Sequence, residues 1–214
     1  MRKPAFKTVA TLAIICIIGV VIFWVILFIA QSLTPGYNPI SQSLSDLALG
    51  PYGWLQTIAF FLLALVAISL GFGFYYGMYK KRGLRAVAVL FGAMAFGEII
   101  SGIFKVDLVK TPLSIYALVH QVGASITAIA FPAAAFVLLP SLKSDPQWKG
   151  LVNYTIAVAV SMLALEIARE VLLLTIWLNP WFGLYEKGLL LNSLVWIEVM
   201  AIHLLRATGT RKQN

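Results

Sequence analysis

Residues 9–30 read VATLAIICIIGVVIFWVILFIA, 22 residues without a single charge. A helix rises about 1.5 Å per residue, and a bilayer core needs roughly 20 apolar residues to cross it. This stretch is long enough to span. It follows Arg2, Lys3 and Lys7, as a secretory signal would. A signal core is only about 7–15 residues long, however, so the segment reads as a membrane anchor. Working outward, five further runs qualify, at 54–79, 86–104, 113–139, 151–178 and 188–206. Strand-like alternation is absent, which argues against a barrel. The expectation is an all-α integral membrane bundle of six transmembrane helices, a single transmembrane domain over residues 1–214.

Composition agrees. The chain is 61% hydrophobic and 11% charged, where a soluble domain carries about 25% charge. Disordered chains are polar and highly charged, so disorder is excluded too. A net charge of +8 in a soluble protein would suggest nucleic acid; here it reports topology. With the N-terminus inside, Arg2, Lys3, Lys7, Lys80, Lys81, Arg82, Arg85, Lys143, Lys149, Arg206, Arg211 and Lys212 fall on the cytoplasmic side, 12 of 16 basic residues. Both termini are therefore expected in the cytoplasm of a cell (plasma) membrane protein. Nucleic-acid binding has no support. Cys16 is the chain's only cysteine and lies in an apolar run, so neither an intrachain disulfide nor a thiolate cluster is available.

Punctuation refines the limits. Thr111-Pro112 reads as a cap followed by proline at the first helical position, starting span four. Asn179-Pro180 ends span five, and Pro132 interrupts the hydrogen-bond ladder of span four. Asn38-Pro39 can start a short outer-face helix through Ser41, Ser45 and Leu47, closed by Gly50-Pro51.

The informative residues are ionisable ones inside the spans, where each charge costs at least about 2.5–3.5 kcal/mol and so needs a partner or water. From the outer ends of their helices, Glu98 lies about 9 Å down, His120 about 12 Å, Arg169 and Glu170 about 12–14 Å, Glu198 about 15 Å and Glu166 about 18 Å. Four helices thus place polar groups in one layer. Thr155, Met162, Glu166, Arg169, Glu170, Leu173 and Trp177 share a stripe on span five; Tyr116, His120, Thr127 and Phe131 share one on span four. Asp46, Asp107 and Glu186 fall on outer loops above this layer. Glu166, Arg169 and Glu170 read equally as a ligand site or as a buried ion-pair network that fixes packing. His120 reads first as a hydrogen-bonded interior histidine.

Several chemistries are disfavoured. The chain has two histidines, which excludes a three-histidine zinc site. His120 and His203 differ in depth by about 10 Å, too far for opposed axial ligands of one haem. The cofactor is unknown and no metal site is assigned; a mixed site of His120 with Asp46, Asp107 or Glu98 stays open as an alternative. Ser45 beside Asp46 is no nucleophile–base pair by sequence alone.

Asn38-Pro39-Ile40 leading to Ser45-Asp46-Leu47, then Gly102-Ile103-Phe104-Lys105-Val106-Asp107, His120, Phe131-Pro132 and Gly183-Leu184-Tyr185-Glu186-Lys187-Gly188 resemble the domain of unknown function 998 family. The resemblance implies a compact six-span membrane protein and supplies no reaction. Lys105 stands where that family usually has proline, and Lys187 where it often has arginine. Together, depth and resemblance point to a polar pocket in the outer half for a lipid headgroup or small amphiphile, built from Asp46, Glu98, Asp107, His120, Glu166, Arg169, Glu170, Glu186 and Lys187. The alternatives are a small proton-coupled transporter, with a route through Glu198 to His203, and a structural or assembly subunit. Expected partners are membrane lipids, with a second copy or another membrane subunit as further candidates.

Overall fold

A computed structural model describes residues 6–78, 83–107, 112–175 and 180–210, with the side chains of 170–175 and 209–210 outside the description. Six helices long and apolar enough to cross a membrane make up the bundle. They are α1 (Phe6–Leu33), α2 (Gly53–Gly77), α3 (Leu84–Ile103), α4 (Ile115–Ser144), α5 (Val152–Thr175) and α6 (Phe182–Thr210). Two single-turn 3-10 helices, Ser45–Leu49 and Lys149–Leu151, lie before α2 and α5. In lipid no water is available to backbone groups, so each span must close its own hydrogen bonds. Among the described residues, all regular structure is helical.

Which face of each helix turns inward is a matter of packing. On α1, Val9, Ala13, Cys16, Val20, Phe23, Leu27 and Ala30 are buried at helical spacing, while Ile18, Val21, Val25 and Phe28 are exposed. Both faces are equally apolar. What distinguishes the inner one is fit, and small residues let backbones approach. α1 packs on α2 and α6, α2 on α3, α3 on α4, and α4 on α5, which also meets α6.

Local chemistry moves three boundaries. The cap of α4 is Ser114, whose hydroxyl accepts the Ala117 N–H at 3.2 Å; Pro112 precedes the helix, and Thr111 lies outside the described residues. Asn179, expected to end span five, also lies outside them. Asn38-Pro39 starts no helix. The Asn38 carboxamide accepts the Ile40 N–H at 2.9 Å, closing an Asx turn, and only Ser45–Leu49 is helical. Finally, α6 begins at Phe182, which puts Glu186 and Lys187 within a helix rather than on a loop.

The middle of the bundle is aromatic. Trp196 of α6 stacks on Phe91 of α3 with ring centroids 6.5 Å apart, and meets Phe131 of α4 edge-on at 5.4 Å. Phe74 of α2 joins them at 6.2 Å and bridges to Trp148 at 5.8 Å. All five are buried to within 2%. The Trp196 indole N–H is satisfied by the Thr155 hydroxyl at 3.2 Å. Toward the 34–52 end this plug gives way to polar side chains.

Candidate functional site: a polar cavity at the 34–52 end

α3 and α4 touch backbone to backbone where a glycine on each faces the other. A Cβ on Gly97 would lie 2.5 Å from the Gly123 carbonyl oxygen, and one on Gly123 would lie 2.7 Å from that of Gly97. This approach brings His120 against the end of α3. Its Nδ1 lies 3.0 Å from the Ser101 carbonyl oxygen and 2.7 Å from that of Phe104. A carbonyl only accepts, so Nδ1 carries the proton. Nε2 is then left to face the Ser45 hydroxyl at 3.0 Å. The Phe60 ring meets the imidazole edge-on, centroids 5.8 Å apart.

Ser45 reaches this position because the 37–44 segment is fastened to the start of α6. The Glu186 carboxylate accepts the Leu44 N–H at 2.6 Å, and the Leu184 N–H donates to the Ile40 carbonyl at 2.9 Å. Lys187 donates to the Pro39 carbonyl at 2.8 Å and to the Tyr37 hydroxyl at 3.2 Å. A side chain at Gly183 would run into the Gln42 and Pro39 carbonyls. Burial pushes the Tyr37 phenol well above its usual range, helped by Glu186 and Asp46. It therefore stays a donor, shared between the Gln42 and Ser43 carbonyls.

Beneath this cap lies a cavity of about 140 Å³. Ser45, Gln56, Glu98, Ser101, His120, Thr127, Glu166, Arg169 and Glu186 give it polar walls; Phe23, Phe60, Leu63 and Leu190 are among its apolar ones. Glu98 is 7% exposed and lies in hydrogen-bonding reach of Thr127. Arg169 Nε pairs with Glu166 at 3.0 Å, one turn apart on α5. Gln56 is 2% exposed, and its carboxamide oxygen has no hydrogen-bond partner. A buried acceptor left unsatisfied costs about 1–3 kcal/mol. A second, apolar groove of about 450 Å³ runs between α4 and α5 along Ile129, Pro132, Phe136, Leu163 and Ile167. The two spaces share Ala128, Glu166 and Arg169.

Of the residues expected at the site, Glu98, His120, Glu166, Arg169 and Glu186 do converge on the cavity. The other described ones are engaged elsewhere. Asp107 accepts the N–H and hydroxyl of Ser114 at 2.6 and 2.7 Å, holding the cap of α4. Asp46 accepts the Ser43 N–H at 2.8 Å; burial pushes its carboxyl up, opposed by Ser43 and the charge of Lys187. Lys187 fastens the 37–44 segment. The Glu170 side chain lies outside the described residues, as do those of Leu173 and Trp177. Tyr116 is 62% exposed and leaves the stripe to which it was assigned. Glu198 does not line the cavity: because α6 begins at Phe182, it lies about 18 Å deeper than Glu186, past the Trp196 ring. Among the described residues, no three His, Cys, Asp or Glu side chains are grouped to hold a metal.

Sequence reasoning missed Gln56 and Ser101; it placed Thr127 on the His120 stripe without making it a site residue, and it weighed Ser45 only against Asp46. Gln56 carried a signal: an amide two residues into an otherwise apolar span. Ser45 carried none, because its partner base lies 75 positions away.

The fold and this cavity define a multi-pass membrane protein with a polar chamber under a fastened loop at one end. The chain belongs to the family described as a protein of unknown function, DUF998, whose model matches residues 17–203. No curated protein and no solved structure matches the chain.

Proposed function

We propose that the protein binds a lipid or small amphiphile, its polar end in the chamber and its chain in the α4–α5 groove. The observation that carries this reading is the junction at Ala128, Glu166 and Arg169, where polar and apolar spaces meet. An amphiphile needs that pairing; a free polar solute does not. The wall carries three carboxyl groups and the Gln56 carboxamide oxygen against one arginine, which favours a polar end rich in donors, such as hydroxyl or amino groups, over a phosphate. The basic residues of the sequence cluster toward the opposite end, which supports an extracytoplasmic chamber in a cell membrane.

Two observations weigh against the other readings. The Phe91–Phe131–Trp196 plug stands between the chamber and His203, which is bonded to the Gln147 carbonyl at 2.7 Å. Buried rings rather than polar side chains fill that stretch, which weighs against a relay. Glu166 and Arg169 expose only 14% and 12% of their side chains, so they face inward rather than toward a partner helix.

Ala128→Trp tests the reading, because it fills the junction without removing a polar group. Native mass spectrometry with added monopalmitoylglycerol should show a retained adduct on the wild type and at least a tenfold loss on the variant, with unchanged thermal stability. Equal retention by both proteins would sink the proposal.

A further inference from the structure

The Ser45–His120 pair has the arrangement of an activated nucleophile. Nδ1 of His120 is pinned as a donor by two main-chain carbonyls, the role a carboxylate plays in a serine hydrolase triad. That fixes the tautomer in which Nε2 presents its lone pair to the Ser45 hydroxyl, 3.0 Å away. Both carbonyls belong to the last turn of α3 and its cap, where the helix dipole is negative and favours positive charge forming on the imidazole. Phe60 and the Gly97–Gly123 contact hold the ring in place. Ser45 in turn sits on a single-turn helix whose approach is anchored by Glu186 and Lys187. Both reacting groups face the chamber, and the buried Gln56 oxygen there lacks a donor.

We propose that Ser45 is the nucleophile and His120 the general base of an acyl-transfer centre acting on an ester amphiphile held in the chamber. The Ser45 oxygen bonds to the ester carbonyl carbon while its proton passes to His120 Nε2. The carbon–alkoxy bond then breaks, and the leaving alcohol takes the proton from His120. Water, activated by the same nitrogen, releases the acid and restores Ser45. The alcohol's remaining hydroxyl groups supply the donor that the Gln56 oxygen lacks, and the acyl chain follows the α4–α5 groove. This proposal rests on the amphiphile-binding reading above.

The test needs no knowledge of the natural ester. Hexadecylfluorophosphonate offers a chain and a phosphorus that Ser45 would attack, forming an O–P bond and expelling fluoride as His120 takes the proton. With the purified full-length protein in nanodiscs, peptide mass spectrometry should place one phosphonyl adduct on Ser45. Labelling should be absent in Ser45→Ala and at least about 100-fold slower in His120→Gln, the scale of general-base assistance. The wild-type labelling rate should also rise with pH as a single group loses its proton, a readout that needs no folded His120 variant. An unlabelled Ser45 in protein that retains monopalmitoylglycerol overturns the catalytic proposal and leaves the binding reading standing. Loss of both overturns the two together. Labelling of Ser45 that ignores pH and is unchanged in a folded His120→Gln protein overturns the role of the histidine.

Discussion

The two halves of this bundle solve the same packing problem with opposite materials. The half around Trp196 is filled by rings from α2, α3, α4 and α6 that meet at 5.4–6.5 Å. The half under the 34–52 segment is assembled by hydrogen bonds between side chains and main-chain groups, and it leaves an open volume of about 140 Å³. Aromatic packing tolerates no void cheaply, since interiors are as dense as organic crystals. Directed polar contacts act across fixed distances and can hold a cavity open. The difference shows where stability and function are divided: the plug holds the helices together, and the fastened cap shapes a space.

The comparison can be broken, most sharply from the aromatic side. Trp196→Ala should cost about 3–5 kcal/mol, as large-to-small changes of buried aromatics do. Reversible unfolding in mixed micelles would read that loss. Retention of monopalmitoylglycerol by the remaining folded protein should change less than threefold, and a parallel collapse would mean that the halves are coupled. Glu186→Ala should act the other way. It removes the acceptor of the Leu44 N–H, and a buried donor left unsatisfied costs about 1–3 kcal/mol. Hydrogen exchange should then rise across residues 37–47 while amides around Phe91 and Trp196 keep their protection.

The smallest effect concerns Asp46. Burial raises its carboxyl above its ordinary 3.8, so the folded protein holds that proton more tightly than the unfolded chain does. This contribution is complete below about pH 4. It is lost as the pH climbs through the raised value. Asp46→Asn should therefore flatten the fall of melting temperature with rising pH across the mildly acidic range. An unaltered slope would show that Asp46 does not contribute to it.

Much of the architecture was legible because lipid imposes one rule on every span. A run such as 9–30 must be helical, and no tertiary contact has to be known to say so. Depth along the helix axis was legible for the same reason, through a fixed rise per residue. It was enough to bring Glu98, His120, Glu166 and Arg169 into one layer. It failed where a helix end was misplaced: α6 begins at Phe182, so Glu198 lies about 18 Å deeper than Glu186 and past Trp196, away from the chamber. Azimuth was not legible: Tyr116, assigned to the stripe of His120, is 62% exposed. The roles of polar residues outside the spans were equally hidden. Asp107 and Lys187 have the chemistry of ligand groups, yet each is engaged by main-chain atoms of neighbouring segments.

The sequence by itself determined the class of structure, the number of spans and the level at which polar groups gather. Those depend on hydropathy and on distance along a single helix, which are local quantities. The tertiary structure alone decided which face of each apolar helix is buried, that Gly97 meets Gly123, and that Ser45 meets His120. Hydropathy is the same on both faces of a helix in lipid, so only the fit between neighbours selects one. A pair separated by 75 positions is joined by that fit.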